Sequence, residues 1–179
     1  MDGVITLAQR IREELYVFIK MLVASFTIAL LFNHVVILNA NVPTPSMENT
    51  IPAPSNNIAF RLAYVFAEPR RLDVVVFPAP DTGELYVKRI IGLPGDVVEI
   101  KAGKVYLNGS TEPLADSYVD HPSLDDWGPR MVPANHYFML GDNRANSHDS
   151  RRWDNTYVPR KTIQGKIIFS YYPSFKFIK

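Results

Sequence analysis

Apolar residues follow two different rhythms along this chain. Over residues 21–40 they are nearly continuous (MLVASFTIALLFNHVVILNA), with no formal charge while His34 is neutral. Twenty residues at about 1.5 Å each make a helix about 30 Å long, which matches the hydrocarbon core of a bilayer. The apolar character reaches back through Tyr16, Val17, Phe18 and Ile19, and Lys20 can extend its amine toward headgroups. The pattern predicts a membrane anchor over residues 17–40, preceded by a tail of residues 1–16. A cleaved leader would have a shorter apolar centre of about 7–15 residues and a small-x-small end. Leu38-Asn39-Ala40 fits that end poorly. A buried helix of a soluble domain would show one apolar stripe, whereas this run is apolar nearly all round. Asn33 and His34 weaken it and face protein, an interface or headgroups.

Beyond residue 40 the rhythm shortens. Apolar, β-branched stretches bounded by turn residues predict strands at 58–66, 72–77, 85–91, 97–101, 104–107, 137–140 and 163–172. Pro94-Gly95-Asp96, Ala102-Gly103 and Asn108-Gly109 supply the turns between several of them. Residues 110–135 differ: five acidic residues, one arginine and four prolines read as a long surface excursion. The expectation is a mostly-β, antiparallel domain over residues 41–179 on a single N-terminal transmembrane helix. The aromatic and basic tail from residue 169 onward suits either a core strand or a membrane contact.

Flanking charge orients the anchor. Arg10, Arg12 and Lys20 precede the apolar run of residues 21–40, and residues 41–60 hold no lysine or arginine. Basic residues stay on the cytoplasmic side, so the N-terminus is expected in the cytoplasm and the β domain outside it. Overall charge narrows the function further. With 19 basic and 18 acidic residues the formal net is +1, leaving no basic field for nucleic acid. The absence of cysteine removes thiolate metal sites, cysteine nucleophiles and disulfides together. His121, His136 and His148 are isolated, so no metal site is expected.

Chemistry concentrates in three blocks. In a strand, Tyr86, Lys88 and Ile90 share one face, and Leu85, Val87, Arg89 and Ile91 the other. Lys88 thus has an aromatic and an aliphatic neighbour on its own side. Burial there disfavours an ammonium, and a neutral amine can act as a general base; the alternative is an ordinary solvated lysine. Ser46 lies in the turn-like Pro43-Thr44-Pro45-Ser46, just past the apolar run. Serines in such turns often only cap backbone. Thr44 changes that picture, because its hydroxyl and the Ser46 N–H can both donate to a developing oxyanion. The third block, residues 141–151 (GDNRANSHDSR), follows a predicted strand and carries a hydrogen-bonding side chain at nearly every position. Such a loop is either fully exposed or an ordered network. His148 and Asp149 are adjacent and point apart, which counts against a Ser/His/Asp triad.

Together these blocks resemble the boxes of bacterial type I signal peptidases, in the compact single-anchor form common in Gram-positive bacteria. Thr-Pro-Ser-Met with Thr50, Tyr-Val-Lys-Arg-Ile-Ile-Gly-Leu-Pro-Gly-Asp at 86–96 and the 141–151 block carry the likeness, with Arg71-Leu72-Asp73-Val74-Val75-Val76-Phe77 as a fourth box. The resemblance implies a serine endopeptidase with Ser46 as nucleophile, Lys88 as general base and Thr44 assisting the oxyanion hole. It implies that Ser147 positions the lysine beside Asp149, and that Asp142 pairs with Arg89 and Asp149 with Arg151. Tyr86 and Arg144 join these as supporting residues. Its implied substrates are exported preproteins, cut after small residues near the translocation channel at the lipid surface, without a cofactor. Asn49 and Leu72 depart from the family's usual proline and glycine; the first is expected to loosen the turn after Ser46, the second to alter packing beneath the site. Two rivals remain. A self-cleaving Ser/Lys repressor shares the dyad but is soluble and DNA-binding, and an inactive tethered binder would keep only the fold.

Overall fold

The structure is a computed structural model that describes residues 7–178, so residues 1–6 of the expected tail, and Lys179, lie outside it. The chain divides into two units, residues 1–37 and 38–179. The first is one helix, α1 (Leu7–Val35), with 29 residues and none buried. Among the described residues it is the one helix long and apolar enough to cross a membrane. It stops at Val35 rather than at Ala40. From Ile37 the pattern alternates, and β1 (Ile37–Val42) buries Ala40 and Val42 while exposing Asn39 and Asn41. Period two governs here, although the composition still looks like membrane span.

The second unit is built from antiparallel strands. Its main sheet joins β1, β2 (Ser55–Phe60), β3 (Val74–Pro78), β4 (Leu85–Gly92), β8 (His136–Leu140), β9 (Val158–Pro159) and β10 (Gly165–Tyr172). Their spatial order is β1-β2-β10-β3-β4-β8-β9, with β11 (Lys176–Phe177) added beside β10. A smaller sheet has the order β6-β5-β7, from β5 (Val97–Lys101), β6 (Lys104–Leu107) and β7 (Trp127–Met131). The predicted strand at 58–66 is displaced. It spans residues 55–60 and gives way to a 3₁₀ turn over Arg61–Tyr64. Strand β7 falls inside the stretch read as a surface excursion, so that stretch is partly sheet.

The centre of the main sheet is apolar on both faces. Val74, Val76 and Val87 enter one cluster with Met47, Ile51 and Ile167. Val75, Phe77 and Ile90 enter another with Tyr137, Met139 and Trp153, and Tyr86 packs against it. This is the alternation read from the sequence of β4. Leu72 lies outside the strands with φ of 73°, a conformation glycine adopts without cost. The family's preference for glycine there has a backbone reason, and this chain places a leucine in the same geometry.

Candidate active site

Strand β4 is paired along only part of its length on one side. Against β3, Lys88 sits opposite Val75 and Tyr86 opposite Phe77. Against β8, pairing covers only Arg89 to Gly92. Residues 85–88 therefore present an edge that β8 does not occupy. The chain leaves β8 at Leu140, and Gly141 to Asn143 then pass directly beside Ser46. The Asn143 N–H donates to the Ser46 carbonyl over 3.1 Å. Gly141 is needed here for its size: a Cβ would run into Ser147 Oγ and lie 2.5 Å from the Ser46 carbonyl oxygen.

Ser46 itself sits in a 3₁₀ turn, Pro45–Met47, started by a proline whose fixed φ suits that position. Both Ser46 and Lys88 are buried. Lys88 Nζ lies 2.6 Å from Ser46 Oγ, and Thr44 Oγ1 lies 3.4 Å from the same oxygen. Burial pushes the Lys88 amine down to about 8; Asp149 and Asp142 pull it back up, and Arg151 adds to the depression. Its Nζ also lies 5.3 Å from the centre of the Tyr86 ring. This is the environment that a lysine needs to give up its proton near neutral pH.

The 141–151 block is an ordered network. Asp149 is wholly buried and accepts from Gly141 N–H and from the Arg151 guanidinium at 2.8 and 2.9 Å. Burial alone would raise its carboxyl, but Arg151, with help from the Ser147 hydroxyl and the Gly141 N–H, holds it below the usual range. Ser147 is buried between Gly141 and Asp149; beyond this closeness to the carboxylate, its Oγ has no hydrogen bond of good geometry. Arg151 continues to Asp125 at 2.7 Å and to Ser123. Arg144 bonds back to the Gly141 carbonyl. Arg89 grips Asp142 through two bonds of 2.9 and 2.6 Å, with both side chains almost fully buried.

Removing one member of such a pair leaves a buried charge unmatched. Asp142→Ala is expected to cost about 3–5 kcal/mol of stability, readable as a lowered midpoint in urea unfolding of the solubilised chain.

Beside Ser46 and Lys88 opens a cleft of about 350 Å³, lined by Val42, Pro43 and Thr44 on one side and by Leu85, Tyr86 and Val87 on the other. Asn146 and His148 also line it. Sequence reasoning left these two out of the site, along with Gly141 and Tyr118. Gly141 carried a signal: a glycine set directly between an apolar strand and a dense polar loop.

Comparison with known proteins fixes the family. The sequence pattern of the family described as signal peptidase, peptidase S26, matches residues 15–172. This chain belongs to the S26 signal peptidases. Among relatives of this signal peptidase, the signal peptidase I of Leptolyngbya laminosa is 39% identical over 140 residues, covering 74% of this chain and 67% of that one. Signal peptidase I S of Bacillus subtilis (strain 168) is 35% identical over 170 residues, covering 86% and 87%. A solved signal peptidase I from Enterococcus faecalis has a TM-score of 0.49 and 32% identity, over 55% of this chain and 96% of that one. The family match and these relatives make the signal peptidase a type I peptidase.

Proposed function

We propose that this signal peptidase cuts exported preproteins with Ser46 as nucleophile and Lys88 as its general base. The 2.6 Å contact between Lys88 Nζ and Ser46 Oγ, inside a buried setting, carries the reading. In the reacting form the hydroxyl donates its proton to the neutral amine, and Ser46 Oγ attacks the scissile carbonyl. The Ser46 N–H and the Thr44 hydroxyl hold the oxyanion. The lysine then returns the proton to the leaving amine, and water hydrolyses the acyl-enzyme. Asp149 acts on the lysine through its charge, the Ser147 hydroxyl makes no hydrogen bond to the amine, and Arg89–Asp142 and Arg151–Asp149 hold the frame.

An extended substrate peptide lies in the cleft along residues 85–88. In such a peptide, alternate side chains face the same way. The residues one and three positions before the cut would both turn toward the cleft wall, where short side chains of an alanine-x-alanine site fit. Helix α1 anchors the enzyme in the plasma membrane with its N-terminus in the cytoplasm. That puts Ser46 outside, near the lipid surface and the exit of the translocation channel.

The test is cleavage of a purified preprotein carrying a small-x-small site by the detergent-solubilised full chain, beside Ser46→Ala and Lys88→Ala. Wild type alone should cut, at that site. Folded wild-type protein that fails to cut in the presence of lipid would favour a tethered binder instead.

A further inference from the structure

We propose that Tyr118 and Asn49 are positioning residues, which hold the turn bearing Ser46 against the strand bearing Lys88. The proposal rests on the Ser46–Lys88 reading of the site. Four contacts carry it, and together they make a closed circuit. Asn49 Nδ2 donates to the Tyr118 carbonyl at 3.0 Å. The Tyr118 ring stacks on Arg89, whose Cζ is 4.3 Å from the ring centre. Arg89 donates to Thr50 Oγ1 at 3.0 Å, next to Asn49 in the chain. Arg89 directly follows Lys88 on β4, and Lys88 meets Ser46 at 2.6 Å. The circuit begins and ends at the reacting pair.

Its members are unusual for a surface excursion. Tyr118 is half-buried, and its phenol is raised by burial. A second guanidinium, from Arg144, lies 5.9 Å from the same ring. Asn49 has φ of 80°, a conformation that asparagine tolerates better than most residues and that proline cannot enter. Here the residue that departs from the family's usual proline does not loosen the turn. Its side chain ties the turn to Tyr118, and its carbonyl accepts from Lys176 Nζ at 3.0 Å. A 2.6 Å contact between nucleophile and base has no slack, and misplacement by 1 Å can cost about 10²-fold in rate.

The experiment compares Asn49→Gly, which keeps access to positive φ but loses the amide, with Tyr118→Leu and Tyr118→Phe. Four quantities are read on the solubilised full chain: kcat, KM, the rate of Ser46 acylation by a serine-directed reagent, and melting temperature. Asn49→Gly and Tyr118→Leu should lower kcat and acylation by about ten- to a hundredfold with KM changed less than about twofold. Tyr118→Phe should keep near-wild-type rates, because the ring on Arg89 is kept and only a long 3.4 Å bond from Arg144 to the hydroxyl is lost. The double variant should be no slower than the slower single one, since both break one circuit. Unchanged acylation would overturn the proposal, as would a loss that tracks a lowered melting temperature, or one confined to KM. Wild type that neither cuts nor labels would instead overturn the Ser46–Lys88 reading, and this proposal would fall with it.

Discussion

Lys88→Arg is expected to slow cleavage by about 10²–10⁴-fold, the range a positioned general base supplies. Arginine keeps the positive charge and much of the length. What it lacks is a neutral form at any working pH. Burial holds the Lys88 amine down to about 8. In the proposed mechanism the deprotonated amine is the base, so rate should climb about tenfold per pH unit below that value and level off above it. A wild-type profile that stays flat from pH 5 to pH 9 would contradict the assignment. So would an arginine variant that still cuts.

Gly141→Ala is expected to be nearly as damaging, though the residue carries no functional group. Its added methyl would collide with the Ser147 side chain and with the Ser46 carbonyl. Neither can retreat cheaply: Ser147 is buried beside Asp149, and the Ser46 carbonyl is fixed by the Asn143 N–H. Overpacking of this kind costs about 1–3 kcal/mol in stability. The displacement of Ser46 should lower the acylation rate by about 10²-fold. Acylation kinetics beside thermal unfolding would separate the two effects. A variant with normal acylation would mean that the site yields more than its packing suggests.

The central sheet could be read from the sequence because its strands alternate so plainly. Tyr86 to Ile91 divide between the two faces as period two requires, which sets Lys88 between Tyr86 and Ile90 and leaves open whether that face is buried or solvated. The N-terminal boundary was harder. Val35 to Ala40 are apolar enough for a membrane span and branched enough for a strand, and composition does not choose between them. Residues 110–135 misled for a different reason. Their prolines and acids look solvated, yet Tyr118, Ser123 and Asp125 meet Arg89, Arg144 and Arg151 from distant parts of the chain. A buried guanidinium makes acidic and aromatic residues useful in ways that local pattern cannot reveal. The polar loop at 141–151 left two readings open, and only the long-range pairing of its charges distinguishes them.

Lys88 and Arg89 are consecutive cations, and the pleat of β4 sends one toward Ser46 and the other to Asp142. The first can lose its charge and the second never does. Hydrogen-bonding register with β3 and β8 decides which one meets the serine. A deletion anywhere within residues 85–87 would hand the serine a permanent cation and set Ile90 opposite Asp142, leaving that buried carboxylate without a partner. The hairpin tip just before it, where Gly83 has open space around it, has no such constraint. Length variation in descendants of this gene should therefore gather at that tip and be purged from the three residues after it.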